Sequence, residues 1–318
     1  MNKSKTDIAI VGGGISSVIT ALKIKEYNSE ARVHVFEKGG YRVKQRMYLY
    51  PPVARSMLKT LPNFKQLSYD KCKNNCYSLN LTPWNINVPM YDVNIIEYSH
   101  LLYYLLDVLK EFQGVHVDYN TVVENIDIEK KTLTTNRDEL VFFDKVVVGM
   151  GTSNLPHIEK VGLPRHRIDT DLSVYDVQFP CIPRNWDSIP EDQRNQYTSV
   201  KIPQPDRDNM PKPYDGLTRV GISGGFNDFM IYSNIVMKIE SAIVAGECLA
   251  LGTEDKFYER MKRTRESIAY SLKLREALYL NPLSMDAVDN VELISTLQEL
   301  LLYNTKTYFD VYRLITSK

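Results

Sequence analysis

The chain has 318 residues, of which 43% are hydrophobic and 25% are charged, an ordinary composition for a globular protein with a sizeable core. Its 39 Lys and Arg residues balance 39 Asp and Glu residues, so charge gives no reason to expect a nucleic-acid partner or an anionic membrane surface. Four scattered cysteines are too few for a disulfide framework and favour a cytoplasmic location, and no apolar run is long enough to span a bilayer.

The N-terminal segment predicts a strand, a glycine turn, a helix and a second strand. The apolar run Ile8–Val11 is typical of a buried parallel strand, and Gly12 then permits a tight turn. Gly14 lets backbone amides approach a pyrophosphate, toward which a helix from residue 15 to about residue 27 would direct its N-terminus. Glu37 ends the second strand at the spacing that suits a carboxylate bound to a ribose.

The motif reads G-x-G-x-x-S, so Ser17 stands where a third glycine allows close packing of the helix on the strand. A serine is small enough to weaken that packing without abolishing it. The sequence therefore predicts a dinucleotide-binding βαβ unit. Its predicted cofactor-binding residues are Gly12, Gly13, Gly14, Ile15, Ser16, Ser17, Glu37 and Lys38.

The next part of the chain carries less regular signals. A basic segment with Arg42 and Arg46 is followed by a predicted helix that starts at Pro51-Pro52. Residues 60–95 are predicted to be irregular, because three prolines interrupt them, and helical spacing returns over 95–112.

A strand pattern at 115–119 then leads into an antiparallel meander over 122–143. Residues 144–148 form a further apolar run, which predicts a separate buried strand ending in a glycine turn at Gly149 and Gly151.

This order of elements resembles the FAD-binding domain of the flavoprotein superfamily that holds disulfide-reductase-like oxidoreductases and aromatic-hydroxylase-like monooxygenases. The meander favours FAD over NAD, since a plain NAD dehydrogenase does not need one. Residues 144–152 resemble the family's D-x-[hydrophobic]-V-x-A-T-G strand, and residues 91–109 its R-x-x-L-x-x-x-L helix, with Tyr98 in place of the arginine. The resemblance implies that the backbone of Val123 recognises adenine.

The resemblance also implies that Gly149 and Gly151 line the cofactor site. It further suggests that Arg42 or Arg46 contacts the adenosine phosphate or the substrate, and we take Arg46 as the candidate, with a solvated basic loop as the alternative.

Residues 216–252 are similar to the third FAD-contacting segment of the same families. A helix there carries the small residues Ala242, Gly246 and Ala250, which would let it pack closely against the first βαβ unit. The family's aspartate, which accepts a hydrogen bond from the ribityl chain, has no clear counterpart. Ser223-Gly224-Gly225 occupies its place and Asp228 follows, so Gly225 and Asp228 are the candidate contacts.

We therefore predict an α/β fold: a Rossmann-like FAD-binding domain with a parallel sheet and an antiparallel β-meander, plus irregular insertions and C-terminal helices. The FAD-binding domain is predicted to be discontinuous, over 1–45, 91–155 and 216–252. Residues 46–90 and 156–215 would be substrate-facing insertions, and 253–318 a helical cap or subunit interface. The second insertion is too short for a separate NAD(P)H domain.

No catalytic residue and no metal site can be assigned from the sequence, and a flavin would itself carry the chemistry. His34 and His116 fall in strands and are interpreted as structural. Cys72 and Cys76 have neither the spacing nor the position of a redox dithiol and are interpreted as free thiols near a surface loop.

The preferred hypothesis is a cytoplasmic FAD-dependent oxidoreductase. It would oxidise or hydroxylate a small or carrier-bound metabolite, with electrons from transient NAD(P)H or from a partner. Two alternatives stay open: an NAD-dependent dehydrogenase that uses only the first βαβ unit, and a degenerate flavoprotein that serves as a binding or scaffold subunit. The C-terminal helices are the predicted surface for a partner subunit or a homo-oligomer.

Overall fold

The computed structural model describes residues 2–40, 47–65, 72–81, 86–150, 181–183, 214–228, 235–279 and 290–316. The strands and helices follow one another as β1 (Asn2–Val11), α1 (Ile15–Tyr27), β2 (Val33–Glu37), β3 (Met47–Tyr50), α2 (Pro52–Leu58), β4 (Cys72–Leu81), β5 (Ile86–Glu97), α3 (Tyr98–Lys110), β6 (Val115–Tyr119), β7 (Val123–Asp127), β8 (Thr132–Thr135), β9 (Glu139–Val148), β10 (Cys181–Pro183), β11 (Thr218–Arg219), α4 (Val236–Leu251), α5 (Phe257–Arg260), α6 (Lys262–Tyr279), α7 (Asn290–Gln298) and α8 (Tyr308–Thr316).

The larger sheet has the strand order β6-β2-β1-β9-β8-β7, with β11 also paired to β9. Strands β6, β2, β1, β9 and β11 are parallel, whereas β7 and β8 form the antiparallel meander. Ile8 and Ile10 of β1 pack under the helices, while Ala9 and Val11 belong to a second apolar core on the other side. A strand buried on both faces needs this continuous apolar run, and the predicted Rossmann-like sheet with a meander is confirmed.

Strand β9 contains two segments that the sequence predicts to be separate strands. Residues 140–142 pair antiparallel with β8, and the same strand pairs with β1 in parallel along its whole length from Glu139 to Val148. The prediction of one strand for the meander and another for 144–148 is therefore wrong. Asp144 and Lys145 interrupt the apolar pattern without interrupting the strand, because neither side chain has to be buried.

A second, antiparallel sheet has the order β10-β4-β5-β3. The prediction that residues 60–95 are irregular is therefore wrong, since β4 and β5 pair from Cys72↔Ile96 to Leu81↔Ile86. The helix expected from residue 95 begins at Tyr98, directly after β5. The division of the chain into a FAD-binding domain and substrate-facing insertions stays a prediction.

Helix α4 packs against α1 through small residues, as the stripe in the sequence predicts. A Cβ at Gly246 would lie 2.5 Å from the Cβ of Lys23 and 2.8 Å from the carbonyl oxygen of Thr20. The Thr20 hydroxyl donates a hydrogen bond to the carbonyl oxygen of Ala242 at 3.2 Å. These contacts hold the middle of α1, the helix that follows the glycine-rich turn, against α4 in the C-terminal third of the chain.

The C-terminal helices α6, α7 and α8 join the main core through buried residues such as Leu274, Leu293 and Val311. Among the helices in the described ranges, none combines the length and the apolar character needed to cross a membrane.

Candidate functional site

The glycine turn after β1 lies where the ends of β2 and β9 meet it. The Gly12 amide donates to the Phe36 carbonyl oxygen at 2.8 Å, and the Gly149 amide donates to the Val11 carbonyl oxygen at 2.8 Å. Gly12 has a φ of +98°, and a Cβ on it would lie 2.8 Å from the Gly149 carbonyl oxygen. The backbone conformation and the close approach both require glycine here, as the motif predicts.

The N-cap residue of α1 is Gly14, which has no side chain to cap the helix. The first turn contains no acidic residue, and the Ile15 amide donates to the Tyr98 hydroxyl. The first amides of a helix have no partners within the helix and carry a partial positive charge, so they bind anions well. The binding of a phosphate by the backbone at Gly14, Ile15 and Ser16 stays a prediction.

Glu37 lies against this turn and is bound by two amides. Its Oε2 accepts the Gly13 amide at 2.6 Å, and its Oε1 accepts the Gly39 amide at 2.7 Å. A carboxylate offers about four acceptor positions, so positions remain for the two hydroxyls of a ribose. A Cβ at Gly13 would lie 2.9 Å from the Cβ of Glu37. The motif leaves its second position open, yet here the contact with Glu37 requires glycine there too.

The residues that precede Val123 lie next to Glu37 and Gly39. The Thr121 amide donates to the Glu37 carbonyl oxygen at 2.9 Å, and the Asn120 amide donates to the Gly39 carbonyl oxygen at 3.1 Å. These bonds hold the start of β7 beside the end of β2. Val123 itself is buried, and adenine recognition by its backbone stays a prediction. The Lys38 side chain is exposed to solvent.

Tyr98 stands at the N-terminus of α1, where the family resemblance implies an arginine. Its hydroxyl accepts the Ile15 amide at 3.3 Å, and a Cβ at Gly14 would lie 3.0 Å from the same oxygen. The ring of Tyr48 lies 5.7 Å from that of Tyr98, and the Lys238 ammonium lies 4.9 Å from the Tyr48 ring centroid. Lys238 is buried, and its backbone carbonyl oxygen accepts a hydrogen bond from the Ser16 hydroxyl at 3.3 Å, in the first turn of α1.

No sequence motif points to Tyr48 or Lys238, since β3 and α4 bring them in from distant parts of the chain. Their contribution to the site depends on tertiary packing alone.

Ser17 packs directly on Gly149. A Cβ at Gly149 would lie 2.0 Å from the Ser17 Oγ, and the Ser17 hydroxyl donates to the Gly149 carbonyl oxygen at 3.5 Å. The space that a third glycine would leave on the helix is therefore left at Gly149, directly after β9, instead. Ser16 is similarly close to Gly221, which lies in the segment 216–252. A Cβ at Gly221 would lie 2.5 Å from the Ser16 Oγ.

The loop after β11 reaches the same sheet edge, where the Ser223 hydroxyl donates to the Val148 carbonyl oxygen at 3.0 Å. Gly225, with a φ of +75°, ends a short 3-10 turn over Gly221–Gly224. Asp228 is fully buried, and both of its carboxylate oxygens accept from the Tyr308 hydroxyl at 2.8 Å. Burial and the neighbouring Asp228 raise the pKa of Tyr308 well above its ordinary value. A role for Gly225 or Asp228 in cofactor binding stays a prediction.

Three of the predicted residues, Arg42, Arg46 and Gly151, lie outside the described residues. Cys72 and Cys76 fall within strand β4, and their interpretation as free thiols near a surface loop stays a prediction. Strand β5, which pairs with β4, is likewise not predicted from the sequence.

No protein-family profile and no curated protein sequence matches this chain at a significant level. Solved structures do match. A geranylgeranyl bacteriochlorophyll reductase-like protein from Thermoplasma acidophilum has a TM-score of 0.62 at 13% identity, with 100% of this chain and 98% of that chain covered. The p-nitrophenol 4-monooxygenase PnpA from Pseudomonas putida DLL-E4 has a TM-score of 0.56 at 14% identity, with 98% and 96% covered.

A third structure is PqsL from Pseudomonas aeruginosa, described as a probable FAD-dependent monooxygenase. It has a TM-score of 0.51 at 12% identity, with 97% of this chain and 100% of that chain covered. At these identities the comparison establishes the fold, which is that of FAD-dependent monooxygenases and related oxidoreductases, as the sequence resemblance implied.

Proposed function

We propose that this chain binds FAD and acts as an FAD-dependent oxidoreductase that oxidises or hydroxylates a small or carrier-bound metabolite. The observation that carries the proposal is the position of Glu37 beside the glycine turn that starts α1, with its Oε2 2.6 Å from the Gly13 nitrogen. One arrangement thus offers amides to a phosphate and, next to them, a carboxylate to a ribose.

The residues present fit the adenosine half of FAD. The amides at the start of α1 would hold the pyrophosphate, Glu37 the ribose, and the backbone at Val123 the adenine. The Lys238 ammonium, buried near Tyr48, would add positive charge beside the phosphates. When bound, the flavin supplies the redox chemistry, and the protein supplies placement and electrostatics.

The names of the structural neighbours support the choice of reaction. One is a p-nitrophenol 4-monooxygenase and another a probable FAD-dependent monooxygenase, so hydroxylation of a small molecule is the favoured activity. Electrons would come from transient NAD(P)H or from a partner protein. A cytoplasmic location, predicted from the cysteine usage, is part of the same proposal.

The first test is the absorbance spectrum of the freshly purified protein, with identification of any cofactor released by heat. A flavin spectrum and released FAD, or saturable binding of added FAD, are expected. A folded protein that is colourless and does not bind added FAD would overturn the proposal. A melting-temperature shift with NAD but not with FAD would point to the dehydrogenase alternative.

A matched pair of variants tests the site itself. Glu37→Gln exchanges a charged double acceptor for an amide, and we expect FAD to bind about tenfold more weakly, the loss typical for a hydrogen bond to a charged group. Glu30→Gln removes an exposed carboxylate before the same strand and is expected to bind FAD like the wild type. Equal affinities in the two variants would remove Glu37 from the site.

A cofactor-free binding subunit is a second candidate, favoured by two observations. The Tyr98 hydroxyl already accepts the Ile15 amide, and Asp228 is buried beneath Tyr308. Tight association with a partner chain, together with the absence of any flavin, would select this candidate.

A further inference from the structure

Two histidines and an aspartate meet on the larger sheet, away from the glycine turn. His34 belongs to β2, and His116 and Asp118 belong to β6, the strand next to it. The register pairs His34 with His116, and Asp118 follows two residues later. Side chains two residues apart on a strand share a face, so all three project from the same side of the sheet.

The ligand atoms of the three residues converge. The His34 Nε2 lies 2.7 Å from Asp118 Oδ2, and the His116 Nε2 lies 2.8 Å from Asp118 Oδ1. All three ligand atoms lie within 4.8 Å of one another. Each imidazole thus directs its Nε2 at a different oxygen of the Asp118 carboxylate.

We propose that His34, His116 and Asp118 bind a divalent transition-metal ion of the zinc class. Imidazole nitrogen and carboxylate oxygen are ordinary zinc ligands, and three protein ligands leave a fourth position for water. A tetrahedral ion with bonds of about 2.0–2.1 Å holds its ligand atoms about 3.3 Å apart. That separation falls between the 2.7 Å of the hydrogen bonds and the 4.8 Å span of the cluster.

The surroundings suit an ion that enters from solvent. The side chains of His34 and Asp118 are 16% and 20% exposed, whereas that of His116 is 68% exposed. Two ligands are therefore held by the sheet, and the third lies on the open side, where the ion and its water would enter. The ring of Phe36 stacks on that of His34 at 4.0 Å between centroids, which fixes the orientation of this imidazole.

Binding replaces two hydrogen bonds without altering the strands. Both imidazoles carry their hydrogen on Nδ1 in the bound form, so that each Nε2 offers its lone pair to the ion. The ion then joins β2 to β6 next to the pair Glu37↔Tyr119, one register position beyond Asp118. It would stabilise the edge of the sheet that ends at Glu37, the proposed ribose-binding carboxylate.

The test uses the full-length protein after treatment with a chelator. Zn²⁺ is titrated calorimetrically, and Co²⁺ is added as a spectroscopic probe of the ligands. We expect one ion per chain, visible Co²⁺ bands of a site with nitrogen and oxygen ligands, and a higher melting temperature with Zn²⁺. Binding with the intense near-ultraviolet band of thiolate ligands would place the ion at cysteines and overturn the proposal.

Two variants and one control decide which residues bind the ion. His116→Ala removes an exposed ligand, and Asp118→Asn removes the central charge, and each is expected to weaken Zn²⁺ binding at least tenfold and to abolish the melting shift. His100→Ala removes another exposed histidine, on α3, and is expected to bind Zn²⁺ like the wild type. If His116→Ala binds Zn²⁺ as tightly as the wild type, the three residues form only a hydrogen-bonded cluster.

Discussion

The hydroxyl of Tyr308 lies 2.8 Å from both carboxylate oxygens of Asp228, inside the protein. Tyr308 begins helix α8, and Asp228 ends the described part of the loop that follows β11. Their bond therefore ties the C-terminal helix to the segment that the sequence resemblance assigns to the flavin. A buried carboxylate needs such a donor, because its desolvation is costly.

Tyr308→Phe is expected to lower the free energy of unfolding by about 2–4 kcal/mol, since the change removes a donor from a buried charge. Urea denaturation measures the loss. The matched control is Tyr303→Phe, at a residue that is 55% exposed, and its effect should stay within about 0.5 kcal/mol. Equal stabilities of the two variants would contradict the importance of this bond.

Gly149→Ala is expected to destabilise the protein by about 1–3 kcal/mol, because its Cβ would meet the Ser17 Oγ at 2.0 Å. The double variant Gly149→Ala with Ser17→Gly should regain part of that loss, since the second change removes the obstructing hydroxyl. Denaturation of the wild type, both single variants and the double variant gives the coupling. Strictly additive effects would show that the two residues do not obstruct each other.

Tyr98→Phe is expected to tighten FAD binding several-fold, on the basis of the proposed FAD site. The change frees the Ile15 amide from the tyrosine hydroxyl, so that the amide can donate to a phosphate instead. Fluorescence titration with FAD measures the change. Tyr104→Phe, which loses a hydroxyl bonded to the Lys65 backbone, serves as control and should leave the affinity unchanged. Weaker binding by Tyr98→Phe would mean that the hydroxyl assists the cofactor.

Glu240→Gln is expected to stabilise the protein at pH 8 relative to the wild type and to have less benefit at pH 4. Burial raises the pKa of Glu240, against the opposing effects of the Thr264 hydroxyl and the Arg263 charge. The folded state then holds the proton more tightly than the unfolded state, so stability falls as pH rises from the unfolded pKa through the raised one.

Melting temperatures of Glu240→Gln and wild type across this pH range test the sign. Glutamine keeps an acceptor for the Thr264 hydroxyl, which lies 2.8 Å from Glu240 Oε2, so the comparison isolates the charge. A benefit that grows toward low pH would refute the assignment.

The first βαβ unit could be predicted closely from the sequence. Its strand, turn and helix follow from the apolar run at 8–11 and the glycines after it, and Glu37 reaches the turn because β2 lies next to β1. These contacts are local in sequence and encoded by short motifs. The replacement of a third glycine by the Ser17–Gly149 contact could not be predicted, since the two residues meet only through the sheet.

The second sheet escaped prediction for physical reasons. Strand β4 contains Lys73, Asn74 and Asn75, which break the apolar alternation that identifies a half-buried strand. Pro89 lies inside β5, where a proline ordinarily argues against a strand. Strand β3 pairs with β5 through residues 94–97, past that proline, so the missing amide is not required for the β3 pairing. These strands form because they pair with residues distant in the sequence, and this pairing outweighs the weak strand preference of their own residues.

The union of the meander and the parallel core in β9 has a consequence for how the chain folds. Val11 of β1 pairs with Val148 of β9, 137 positions later, and the chain between them contains β2 and strands β3, β4 and β5 of the second sheet. Pairing between such distant residues raises the contact order and slows folding. The entropy cost of closing a long loop has to be met before the pairing of the two strands can stabilise the chain. During synthesis, β1 emerges first, and one of its two edges lacks its partner strand until β9 has left the ribosome. The most recognisable element of the sequence is thus among the last to find its complete set of neighbours.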